Sequence, residues 1–285
     1  MESIANNVYI ETQYIGVTLG LISLPRGQVL VDAPPAPEDS RAWRAALLSR
    51  GGGPERVLIN LDAHPDRTIG ARSMDCIIIA HEKTAQAYRN RPTAFKPLGE
   101  ETGAEWENIP ALGSVRWVPP EISFSQQMTL HWGDFPVLLE HHPGPGLGAI
   151  WVILPDEKVV FVGDAVLKNQ PPYLANANLK IWIGTLELLL GPAYRGFTVV
   201  SGRDGTVAST TVRKQLDYLK RLQSKLEKLA SKSSKPEAME SLIQPLLTPL
   251  KFASSRQKQY AQRLSYGLSQ YYSRHYHLSG SDDKE

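Results

Sequence analysis

Apolar positions in the first two hundred residues switch repeatedly between strand-like and helix-like spacing. Residues 8–12, 15–24 and 28–32 are rich in β-branched and aromatic side chains and predict three strands, the last two joined by a turn at Pro25-Arg26-Gly27. Asp32 closes the third strand ahead of the breaker Pro34-Pro35-Ala36-Pro37, and Asp39 or Ser40 can cap a helix carrying Trp43, Ala46 and Leu47. Gly51-Gly52-Gly53-Pro54 stops that helix. The pattern then predicts a strand over 57–61, a polar loop, a helix near 69–74, a buried strand over 75–80 and a helix near 82–90 after His81. Residues 91–114 are rich in Pro and Gly and take no clear period. Strands follow at 115–118, 121–124, 127–132, 136–140, 149–154 and 158–162, with a hairpin turn at 155–158. Gly163-Asp164 ends the last of them, and a helix over 178–190 leads to a short strand at Val199-Val200 and the turn Ser201-Gly202-Arg203-Asp204-Gly205.

The tail is different in kind. Val212, Leu216, Leu219, Leu222, Leu226 and Leu229 recur at helical spacing and predict a long amphipathic helix. Residues 231–236 break it, and two further helices are expected over 237–247 and 254–276, the second carrying Tyr260, Leu264, Leu268, Tyr271 and Tyr272. Residues 212–276 hold 13 Lys or Arg against 4 Asp or Glu, so the tail is basic while the rest of the chain is acidic. Such a charge run usually forms a solvated helix face, and no nucleic-acid motif accompanies it, so nucleic acid is not an expected partner. The apolar stripe of the 209–230 helix is expected to pack on the preceding domain or on a second copy of the chain, as in a homodimer through the C-terminal helices.

Composition changes this picture little. With 42% hydrophobic and 21% charged residues, 285 positions supply a core for one large domain or for a domain plus an extension. The net charge of +2 is not that of a chain built as a whole for nucleic acid or a membrane. Cys76 is the only cysteine, so no intrachain disulfide forms, and it reads as a buried small hydrophobe in a strand. No signal-like N-terminus and no apolar run long enough to span a bilayer is present, so a soluble, cytoplasmic protein without membrane contact is the expectation.

The chemistry concentrates in Asp62-Ala63-His64-Pro65-Asp66-Arg67, a loop at a strand end that presents Asp62, His64 and Asp66 at alternate positions. A metal site needs several N or O donors converging on one point. Arg67 cannot join them, because a guanidinium is always protonated and has no lone pair. Three other segments pair a strand end with polar groups or glycines: 142–148, Gly163-Asp164 and 201–205. Strand ends on one edge of a sandwich can face one cleft.

In the order and spacing of these segments, residues 8–207 resemble the metallo-β-lactamase superfamily. The resemblance implies an α/β (α+β) fold class: a four-layer αββα sandwich over residues 1–207, followed by a basic α-helical extension over 208–285. It also implies a two-metal hydrolase site built on H-x-H-x-D-H, a third His in a Pro-Gly loop, a bridging Asp and a last His. The match of ligands is partial. Asp62 stands for the first His, His64 and Asp66 are kept, Arg67 replaces the next His, Pro145 falls where the third His would be, Asp164 keeps the bridging Asp, and Arg203 falls at the last His. Asp32 and His81 also stand where the family often has Asp and His.

Three readings follow. In the first, Arg67 and Arg203 compensate Asp62, Asp66 and Asp164 in place of cations, the centre holds no metal, and catalysis is weak, altered or absent. In the second, one divalent metal (zinc, manganese or iron) is held by Asp62, His64, Asp66 and Asp164, with His142 moving in for the missing His. Asp66 or Asp164 then acts as the catalytic base for hydrolysis of an ester, thioester or phosphoester. In the third, the cleft or the basic tail serves a binding or scaffold protein, and the arginines hold an anionic group of an unknown small-molecule ligand. The resemblance places specificity in 91–114, in 169–177 and in the tail. The residue-level alternatives for His141 and His142 are a packed and a solvated ring at a strand end, and for His64 a hydrogen bond within its loop.

Overall fold

A computed structural model describes residues 1–91, 102–110, 112–133, 135–231 and 236–276. Part of the 91–114 stretch and most of the 231–236 break lie outside the described residues.

Seven strands form the first sheet in chain order: β1 (Glu2–Ala5), β2 (Val8–Glu11), β3 (Leu19–Ser23), β4 (Gly27–Val31), β5 (Glu55–Ile59), β6 (Ile77–His81) and β7 (Ile122–Phe124). Strands β1 to β4 are antiparallel, and β4 to β7 run parallel. The second sheet has the order β13-β12-β11-β10-β9-β8, from β8 (Gln127–Leu130), β9 (Val137–His141), β10 (Ile150–Leu154), β11 (Val159–Gly163), β12 (Thr198–Ser201) and β13 (Gly205–Val207). Its strands are antiparallel except for the β11–β12 pair. Helices α1 (Pro37–Leu47), α2 (Pro65–Thr68) and α3 (Glu82–Arg89) follow strands of the first sheet, and α4 (Leu179–Leu189), α5 (Ser209–Ala230), α6 (Ile243–Leu247) and α7 (Gln257–Tyr276) follow those of the second.

Three apolar clusters define the four layers. Between the sheets lie Val29, Val31, Val57 and Ile59 of one and Leu139, Val152 and Phe161 of the other, all buried. Trp43 and Leu47 of α1 cover the outer face of the first sheet through Leu21, Leu30 and Leu58. Trp151 and Val162 of the second sheet pack outward against Trp182 and Leu186 of α4, and the same cluster continues through Leu219, Leu222 and Leu226 of α5 to Leu264 and Leu268 of α7. The apolar stripe of α5 is therefore covered within its own chain, and the tail shares one core with the sandwich rather than forming a separate one. Tyr260, Tyr271 and Tyr272 are buried there. Among the described residues no helix is long and apolar enough to cross a membrane.

Several expected boundaries move for physical reasons. The strand foreseen over 15–24 begins only at Leu19, because the preceding residues bond across to the other sheet. Thr18 N donates to Gly202 O at 2.7 Å, and Thr18 Oγ1 accepts from Gly205 N at 3.0 Å. Helix α1 starts at Pro37 with Ala36 as its cap, ahead of Asp39 and Ser40, since the fixed φ of proline suits the first helical position. No strand forms over 115–118, where only an isolated bridge at Arg116 occurs. Residues 236–242 form a 3-10 turn, leaving a short α6. Strands β1 and β13 carry too few apolar positions to give a period. Cys76 lies half-buried one residue ahead of β6 rather than within it, and burial pushes its thiol up to about 11.

Candidate active-site cleft

The C-terminal ends of β4, β5, β11 and β12 meet at one edge of the sandwich, and the residues just beyond them carry Asp32, Asp62, Asp164 and Arg203. Ile150 N donates to Leu61 O at 2.9 Å and stitches the two sheets together there. The 62–67 loop tightens into α2. Asp62 Oδ1 accepts from His64 N at 2.8 Å, Pro65 occupies the first helical position, and His64 caps α2 by accepting from Asp66 N at 3.3 Å. This short helix aims Asp66 and Arg67 inward, where both are fully buried.

Arg67 lies among three carboxylates. Its Nη1 donates to Asp32 Oδ2 at 3.0 Å, Nη2 to Asp164 Oδ1, and Nε is 3.0 Å from Asp62 Oδ1, an ion-pair contact without hydrogen-bond alignment. Arg203 completes the network. Nε and Nη2 grip Asp164 bidentately, each at 2.9 Å, and Nη1 donates to Asp66 Oδ2 at 2.5 Å and to Gly16 O at 3.0 Å. Nη2 also lies 3.2 Å from His64 Nδ1. A guanidinium has five N–H donors; four go to Asp164, Asp66 and Gly16, and the fifth faces His64 Nδ1, whose one lone pair it shares with Asp66 N.

The electrostatics follow. Burial alone would raise Asp164, but Arg203 and Arg67 hold its carboxyl far below the usual range. Burial likewise opposes ionisation of Asp66, yet Arg203, with His64 and the Trp106 amide at 2.7 Å, keeps it low; Glu105 N also points at it from 3.4 Å. Asp62 and Asp32 go the other way. Burial outweighs Arg67 in both, raising Asp62 and pushing Asp32 up to about 7. Asp32 has a left-handed backbone with φ +59°, and its Oδ1 accepts from Leu61 N at 3.0 Å. His64 is pushed down to about 3 by burial, with the neighbouring guanidiniums opposing a third cation. The neutral ring accepts at Nδ1, which leaves its proton on Nε2.

The centre forms the floor of a cleft of about 430 Å³ lined by Asp62, His64 and Asp164 together with Arg91, Trp106, Pro145, Tyr173 and Arg263. Tyr173 stacks between two guanidiniums, with Arg203 Cζ 4.3 Å and Arg263 Cζ 4.1 Å from its ring centroid. Arg263 is buried, donates to Glu105 Oε1 at 3.1 Å and to Gln170 Oε1 at 2.9 Å, and so ties α7 to the cleft.

Of the residues singled out from the sequence, the fold brings together Asp62, His64, Asp66, Arg67, Asp164 and Arg203. His142 is not among them: its Nε2 is 3.0 Å from Glu140 Oε2, and its ring stacks on Trp151 at 3.9 Å, away from the cleft lining. His81 caps α3 through Nδ1 and stacks on His141 at 3.8 Å. Sequence reasoning missed Tyr173, Glu105, Arg91 and Arg263. For Arg263 a signal existed, since position 263 falls on the same helical face as 260, 264 and 267. Among the described residues no three His, Cys, Asp or Glu side chains converge so as to hold a metal ion.

The family model of the metallo-beta-lactamase superfamily matches residues 16–218. The chain belongs to that superfamily. Solved structures of the same fold include a metallo-beta-lactamase from Pontibacter korlensis, with TM-score 0.61, 18% identity, and coverage of 76% of this chain and 97% of that one. A metallo-beta-lactamase family protein from Thermus thermophilus matches with TM-score 0.65 and 20% identity over 95% of both chains, so the fold relation extends through the tail. The sec-alkylsulfatase Pisa1 from Pseudomonas sp. matches at TM-score 0.65 and 13% identity over 96% of this chain, which spans 49% of the enzyme's length. No curated protein matches the sequence.

Proposed function

We propose that this chain is a member of the superfamily in which two guanidiniums have taken over the electrostatic role of the two metal cations, leaving a cleft kept for binding rather than for metal-assisted hydrolysis. The observation that carries this reading is the engagement of Arg203, which donates four hydrogen bonds to Asp164, Asp66 and Gly16 and turns its remaining N–H towards His64. Together with Arg67 and the backbone amides of residues 66, 105 and 106, it engages both oxygens of Asp164, both oxygens of Asp66 and His64 Nδ1. The residues present do not fit a two-metal centre. Two guanidiniums face four carboxyl groups, and Asp32, pushed up to about 7, can hold a proton that reduces the surplus.

The alternative reading is a single-metal hydrolase. It is favoured by the exposure of Asp62, His64 and Asp164 to the cleft, which gives a metal a path of entry. Elemental mass spectrometry separates the two. Protein purified without chelator, then loaded with zinc, manganese or iron and desalted, is expected to carry no stoichiometric metal. Stoichiometric metal that is lost in Asp62→Ala or His64→Ala would overturn the binding reading in favour of the hydrolase.

A further inference from the structure

With Arg203 engaged and Arg67 enclosed by carboxylates, neither can hold an anion that enters the cleft. The wall offers another guanidinium. Arg91, just past the end of α3, lines the cleft together with Lys83 of that helix. Its Nη2 donates to Ala63 O at 2.8 Å, which ties it to the 62–67 loop. Its Cζ lies 4.5 Å from the ring centroid of Trp117 and 5.4 Å from that of Tyr88. Stacking of this kind uses the face of a guanidinium and leaves its edge for planar, two-point recognition of an oxyanion.

That edge is only partly used among the described residues, since Nη2 is held by Ala63 O. Nη1 is buried without a hydrogen bond, and no described carboxylate lies within ion-pair distance of Arg91. Arg67, Arg203 and Arg263, whose side chains are buried, differ: each meets at least one carboxylate. A buried guanidinium lacking an anion is costly, and burial does pull Arg91 below the usual arginine range. The remaining walls are apolar and aromatic. Pro145 and Leu147 border the cleft on one side and Leu174 on another, with Trp106 and Tyr173 completing the lining, and Leu147 is 58% exposed at the rim. About 430 Å³ is the size of a small-molecule site.

Building on the binding reading above, we propose that the cleft takes a planar organic acid, an aromatic carboxylate or sulfonate. Its anionic group pairs with the cleft-lining guanidinium of Arg91, supplying the acceptor that Nη1 lacks, and its ring lies among Trp106, Tyr173 and Leu147. Lys83 adds long-range attraction at the mouth.

The test is isothermal titration of the full chain with 2-naphthoate, naphthalene-2-sulfonate, the neutral isostere 2-naphthamide, and inorganic phosphate. Both organic anions are expected to bind, the amide to bind at least about tenfold more weakly, as for loss of a charged hydrogen bond, and phosphate alone not to bind. Arg91→Gln is expected to weaken both anions to the level of the amide, and Arg91→Lys to recover part of the affinity. Equal affinity for acid and amide, binding unchanged in Arg91→Gln, or no binding of either organic anion would overturn the proposal. The acid–amide comparison on the unaltered chain stands even if an Arg91 variant fails to fold. Metal content is read on the same samples. Binding that depends on Arg91 in protein carrying metal sinks the metal-free reading alone, whereas metal-free protein that ignores the acid sinks this inference alone.

Discussion

Replacing Arg203 with methionine keeps the volume of the side chain but withdraws the cation from the centre. Asp164 then loses a bidentate partner and keeps Arg67, while Asp66 keeps the amides of residues 105 and 106 and the neighbouring His64 ring. Removing one member of a buried charge pair costs about 3–5 kcal/mol, because the remaining charge is left without compensation. Two carboxylates are affected here, and the face of Tyr173 loses a cation 4.3 Å away, so the upper half of that range is expected. Against a total stability of roughly 5–15 kcal/mol the effect is large. Urea denaturation of both proteins at pH 7 measures it. The sign with pH is also set. In the unaltered chain the low values of Asp66 and Asp164 contribute stability that is present above the ordinary carboxylate range and is lost only in strong acid. In Arg203→Met burial acts with less opposition, so both carboxyls protonate at higher pH and the penalty shrinks as the pH falls. Adding Asp164→Asn to Arg203→Met should recover about 0.5–3 kcal/mol, the range of coupling between contacting residues. A loss at pH 7 below about 1 kcal/mol, or one that does not change with pH, would refute the reasoning.

Further outcomes follow from neighbouring contacts. Gly202→Ala places a Cβ 2.7 Å from Arg67 Nη1 and 3.0 Å from the Gly163 backbone; it should cost about 1–3 kcal/mol by overpacking, read by thermal unfolding. Asp32, raised to about 7 when folded, contributes stability that is complete below its ordinary value near 3.8 and is lost as pH rises through about 7; a stability profile between pH 5 and 8 should therefore be flatter in Asp32→Asn. His64 has the opposite sign, since a folded value of about 3 against 6.5 means that its contribution is present above 6.5 and drains away as the pH falls towards 3; His64→Gln should remove that part of the acid limb. Arg263→Met leaves Glu105 paired with Arg256 alone among the described residues and should raise hydrogen exchange in the last helix more than in the sheets.

The layered architecture was readable because the elements that build it have strong periods. The buried strands at Val57–Ile59 and Val159–Val162 are continuous apolar runs, and the stripe from Val212 to Leu226 keeps helical spacing throughout. Elements governed by cross-sheet bonding were not readable in this way. Residues 15–18 look like strand but bond to the 202–205 turn, and no local pattern encodes that. In the site, Asp62, His64, Asp66 and Arg67 are close in sequence, so their convergence could be foreseen. Asp164 and Arg203 depended on the spacing of the family. The aromatic and cationic wall could not be read, because Arg91, Trp106, Tyr173 and Arg263 come from four separate segments and carry no motif. His142 shows the limit of spacing: one residue beyond the end of β9, its ring turns onto Trp151 instead of into the cleft.

Arg67 and Arg203 are proposed to stand in for the metal cations of the superfamily's hydrolases. Zinc titration by calorimetry, run in parallel on the unaltered chain and on Arg67→His/Arg203→His, tests it most directly. No stoichiometric binding is expected for the unaltered chain, and a stoichiometric binding heat is expected for the double variant, where Asp62, Asp66 and Asp164 regain imidazole co-ligands. Tight stoichiometric zinc binding to the unaltered chain, abolished by His64→Ala, would contradict it.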